Sequence, residues 1–155
     1  MATRTLSRSL LLPLILAALA LTTGCTSAKM RQLADAANRE AAASASPFRW
    51  EVHRGANGEA LRRIMVDLPS GATSADAQLQ RDILALIARA EGKLNRPAPV
   101  VSAIKPLPNR REVWVLESKI PGEGIAYIVT LRPTTQGGTD ILLTGPTTFA
   151  LRGNP

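Results

Sequence analysis

The stretch TSADAQLQRDILALIARAEGKL, residues 73–94, decides how the rest of this chain is read. Thr73, Ser74 and Asp76 carry side-chain oxygens that can accept from the first free N–H groups of a helix. Behind them Leu79, Ile83, Leu86, Ile87, Ala90 and Leu94 recur every three or four residues, the period of an apolar helix face. Arg81, Asp82, Arg89 and Lys93 fall largely off that stripe, and the late cations suit the negative end of the helix. A single amphipathic helix must lay its stripe on something, and the flanking sequence offers the strands of a sheet.

Upstream, Phe48, Trp50 and Val52 alternate with Arg49, Glu51 and His53, as in a half-buried strand. A turn follows at Gly55–Gly58, and a second strand then carries Ile64, Val66 and Leu68 on one face and Met65 and Asp67 on the other, stopping at Pro69. Downstream, prolines frame Val100–Ile104, which marks an edge strand or an extended connector. Three segments in meander style come next, Glu112–Ile120, Ile125–Arg132 and Asp140–Thr144, separated by PGEG and TTQGG turns. Ile125, Tyr127, Val129 and Leu131 share a face, opposite a partly apolar face of Ala126, Ile128, Thr130 and Arg132. Gly145-Pro146 closes the sheet, and Phe149 and Leu151 are placed to pack back on it. The expected class is α+β: one amphipathic helix on a mostly antiparallel sheet of about five strands, in ββαβββ order.

Composition narrows the chemistry. Aromatic residues make up 3% of 155 residues, so the core must be aliphatic. One cysteine allows no internal disulfide, and one histidine, His53, leaves zinc with too few nitrogen or sulfur ligands, so no metal and no cofactor is expected. The formal charge of +7 favours anionic neighbours without naming one.

The N-terminus gives an address. Arg4 and Arg8 precede an uncharged run from Leu10 to Leu21, roughly 18 Å as a helix and too short for a hydrocarbon core of ~30 Å. Leu21-Thr22-Thr23-Gly24-Cys25 follows it. These residues resemble the lipobox of bacterial lipoproteins, with Thr22 where that pattern commonly has an aliphatic residue. The resemblance covers only this leader. It implies cleavage before Cys25, acylation of Cys25, and, because Thr26 rather than Asp follows, residence in the outer membrane facing the periplasm. The expected organisation is a signal peptide at 1–24, an Ala/Ser-rich tether at 25–46 and one domain at 47–152. Met30, Leu33, Ala34, Ala37 and Ala41 fall at helical spacing within the tether, although as a flexible coil it would span roughly 25 Å.

No catalytic arrangement is visible. His53 has no Ser or Cys partner by motif and reads as a surface histidine, and Gly92-Lys93-Leu94 lacks the rest of a phosphate loop. Glu112, Glu117, Glu123 and Asp140 could pair for acid–base hydrolysis, but solvated strand and loop acids are the plainer reading. The doublets Arg62-Arg63 and Arg110-Arg111 lack the aromatic interleaving of a nucleic-acid surface. The chain is therefore expected to be a non-enzymatic envelope module, membrane-bound through its lipid, with an envelope protein as partner and nucleic acid disfavoured. The alternative is a carrier of a small apolar or anionic ligand such as a lipid, which calls for a cavity lined by Leu86, Ile87, Val129 and Leu131.

Overall fold

The computed structural model describes residues 11–55 and 57–152, with side chains described from Ser27 onward. Residues 1–10 and the Cys25 side chain, on which the leader and acylation readings depend, lie outside the described residues. The fold is α+β, with two helices and one curled, mixed sheet of six strands. In chain order the elements are α1 (Leu11–Ala43), β1 (Phe48–Gly55), β2 (Gly58–Met65), α2 (Ala77–Lys93), β3 (Val101–Leu107), β4 (Arg111–Leu116), β5 (Glu123–Pro133) and β6 (Thr139–Ala150). Among the described residues no helix is long and apolar enough to cross a membrane.

Helix α2 starts where its capping residues place it: Asp76 accepts from the N–H groups of Gln78 and Leu79 at 2.9 and 2.8 Å. Its buried positions are Ile83, Ile87 and Glu91, while Leu94 is exposed, so the stripe is turned from the expected one and contains an acid. Ile83 and Ile87 have no exposed surface, and each such burial stabilises the fold by about 2 kcal/mol. They pack on Trp114, Leu116, Tyr127, Val129 and Leu131 from the first face of the sheet.

The strand order is β1-β2-β6-β5-β4-β3. Four differences from the expected sheet have physical causes. The segment Val100–Ile104, expected as an edge strand or a connector, belongs to a sixth strand, the edge strand β3 (Val101–Leu107), which runs on through the framing Pro106 because a missing N–H costs no ladder bond at an edge. β6 runs on through Gly145-Pro146 to Ala150, because a register shift between Ala126 and Ile128 absorbs the proline. β2 lies parallel to β6, so the sheet is mixed and the element order is ββαββββ behind α1. Finally, β2 ends at Met65, which is buried rather than wet, since Phe48, Met65, Val113, Val115, Ala126 and Phe149 form a second core on the other face. Phe48 and Phe149 meet there with ring centroids 5.8 Å apart, while Leu151 is exposed.

Ser27 to Ala43 is helical and docked, not coiled. Ala34 is buried, and the Asn38 carboxamide pairs with the outer edge of β1, accepting from Trp50 N–H at 2.7 Å and donating to Trp50 C=O at 2.9 Å. One side chain thereby does what a neighbouring strand would do for that residue. Ser27 Oγ donates to Glu59 at 2.6 Å, so α1 follows β1 from one end to the other.

Candidate functional site

The candidate acids separate once their surroundings are known. Glu112, on β4, is 2% exposed, against the expectation of a solvated acid. Its carboxylate accepts from Thr73 Oγ1 at 2.7 Å, Ser74 N at 2.6 Å, Ser74 Oγ at 2.7 Å and Trp114 Nε1 at 2.9 Å. Burial pushes its pKa up, but those hydrogen bonds together outweigh burial and hold it below the usual carboxylate value. Held by four donors, it pins the loop ahead of α2 to β4. Glu117 and Glu123 border a cleft, and Asp140 pairs with Arg132 in register at the start of β6.

The acid that sequence reading passed over is Glu91. It is 3% exposed in the last turn of α2 and accepts from Tyr127 Oη at 2.5 Å. Desolvation, and then the neighbouring Glu91, raise the Tyr127 pKa well above the ordinary phenol value. Arg96 Nη1 stands 3.5 Å from Glu91 and is buried without a hydrogen-bond partner among the described residues. A signal was available: Tyr127 sits on the core face of β5, and a buried phenol needs an acceptor. Outside this pair lies a cleft of about 200 Å³ lined by Arg96, Pro97, Pro99, Leu116, Ile120 and Ile125.

The second concavity is a groove of about 350 Å³ between β2 and β6, lined by Trp50, Arg62, Arg63, Pro121, Thr148 and Phe149. It exists because the two strands share a single ladder pair, Ile64↔Ala150, and then splay apart. Arg63 lies 4.7 Å over the Trp50 ring and donates to Thr148 C=O at 3.5 Å, bridging the groove. Arg62 is exposed at its rim. The other doublet does different work: Arg111 donates to Ala45 C=O at 3.2 Å, closing the far end of α1 onto the sheet.

His53 is half-buried on β1 and makes no side-chain hydrogen bond with another described residue. Among the described residues no group of three or more His, Cys, Asp or Glu is placed to hold a metal ion. Of the four residues named for a carrier cavity, Ile87, Val129 and Leu131 lie in the helix–sheet core at 0, 0 and 6% exposure, while Leu86 is half-buried outside that cluster. No protein family, curated protein or solved structure matches the chain.

Proposed function

We propose that the protein is an envelope lipoprotein, cut before Cys25, acylated there and facing the periplasm from the outer membrane, whose 47–152 domain is a non-catalytic binding module for an envelope protein. The observation that carries the binding reading is the splayed seam between β2 and β6. With one shared ladder pair, the two strands do not continue a ladder along the groove, where Thr148 C=O accepts from the Arg63 side chain instead. An extended segment can take up the ladder there, while Trp50, Phe149 and the exposed Arg62 read its side chains. The outer edges of the sheet serve such a partner less well. Asn38 occupies β1 at Trp50, and β3 is blunted by a bulge at Val101/Ala103, by Pro106 and by Gly71 N–H donating to Ile104 C=O at 2.9 Å.

The test is a photo-crosslinking residue at Arg62, expressed in the native host. A discrete adduct should form with the acylated chain and disappear both with Cys25→Ser and with bulk placed in the groove by Thr148→Trp. Absence of any adduct from a folded, acylated chain would remove the binding reading. A second reading is favoured by one observation, the mostly apolar 200 Å³ cleft whose wall includes the part-exposed Arg96 side chain. A small ligand with an apolar body and an acceptor oxygen fits those groups, and competition for the crosslink by such a molecule would favour it.

A further inference from the structure

We infer that the end of the molecule bearing the β1–β2 turn rests directly on the bilayer surface, held there by α1 rather than hanging from a flexible tether. The inference rests on the acylation of Cys25 proposed above, and three observations carry it beyond that. Ser27 Oγ is bonded to Glu59, the second residue of β2, so the chain is fastened to the domain beside the turn. Cys25 lies two residues ahead, and two residues span at most about 7 Å even when fully extended. Acyl chains on Cys25 therefore enter the membrane within about a nanometre of the turn.

The second observation is that α1 cannot pay out as slack chain while it is docked. Asn38 holds it to Trp50 by two hydrogen bonds, its own Ala34 is buried, and Arg111 closes its far end through Ala45. From Ser27 to Ala43 the helix is about 24 Å long. The Asn109–Arg110 turn, next to Arg111, thus stands toward the far end of the helix, away from the lipid. Charge is the third. Lys29 and Arg31 are exposed in the first turns of α1 after Cys25, and the Arg54 side chain is 83% exposed beside the turn. Of the acids nearby, Glu59 is engaged by both Ser27 and Arg54, its side chain only 17% exposed, and the exposed Asp35 lies about one turn beyond Arg31. The surplus is cationic and suits the phosphates of anionic headgroups.

The experiment uses the native acylated chain in vesicles of phosphatidylethanolamine and phosphatidylglycerol containing a headgroup-level nitroxide lipid. An environment-sensitive fluorophore is attached through Asn57→Cys or, separately, Asn109→Cys, the one native cysteine being blocked by its acyl chains. Quenching is expected at 57 and not at 109. A flexible Gly/Ser insertion between Thr26 and Ser27 should abolish the difference while the protein stays vesicle-bound. Equal quenching at both positions in a chain whose intact mass includes the acyl groups would overturn the proposed surface and leave the anchor standing. An intact mass without them would overturn the anchor and this surface with it.

Discussion

Glu112 and Glu91 are both almost fully buried, one on either side of the helix–sheet core, yet they are held in different ways. Glu112 has four donors and no cation; Glu91 has one phenol at hydrogen-bond distance and a guanidinium at 3.5 Å. A charge accepting from backbone, hydroxyl and indole donors is stabilised by short, well-directed bonds that exist only in the folded chain. A charge with one bond and a loosely placed cation is only partly compensated, and the donor left over, Arg96 Nη1, is itself buried, behind the wall of a cleft that the Arg96 side chain helps to line. The satisfied acid is architecture, and the incompletely satisfied one lies beside unfilled space.

The sharpest break of that contrast is Glu112→Ala. It strands the donors of Ser74 and Trp114 in the core and should destabilise the domain by about 4 kcal/mol in chemical denaturation, with the loop before α2 becoming exchange-labile. Tyr127→Phe should cost less, about 1 kcal/mol, because it removes a single hydrogen bond and leaves Glu91 a partner in Arg96. If the two substitutions cost the same, the asymmetry between the acids is wrong. The smallest effect is a titration. The folded pKa of Glu112 lies below its ordinary value of 4.5, so its contribution is fully present above that value and is lost as pH falls through the folded pKa. The stability gap between the parent and Glu112→Gln should therefore narrow from pH 7 to about pH 3, and a gap that widens would contradict the assignment.

Neither acid could be ranked from sequence. Glu112 sits in a strand beginning Arg-Glu-Val-Trp-Val, where alternation alone assigns it a face but says nothing of a loop arriving from Thr73 and Ser74, nearly forty positions earlier. The same loop residues read as a helix start, and Asp76 does cap α2, so the local signal was sound while its second use was invisible. Glu91 lies one turn beyond Ile87 and therefore on the buried stripe. Counting apolar residues shifted the stripe toward Ala90 and Leu94 instead. In the Ala/Ser-rich segment, helical spacing is legible but docking is not, since Asn38 becomes informative only when a strand edge stands in front of it.

What the sequence determined by itself is the set of local choices: helix α2 with its cap, the β1–β2 turn, and the strands on either side of the glycine-rich turns, whereas the aliphatic core expected from composition is corrected by the burial of Phe48, Trp114, Tyr127 and Phe149. The local choices follow from periods of 3.6 and 2 and from turn chemistry, which act over a few residues. Only the tertiary structure decided the parallel pairing of β2 with β6, the second core on the opposite face, the docking of α1 along β1 and the partners of the buried acids. Each joins segments tens of residues apart, and such a contact is set by the summed burial and hydrogen bonding of the whole fold rather than by any spacing along the chain.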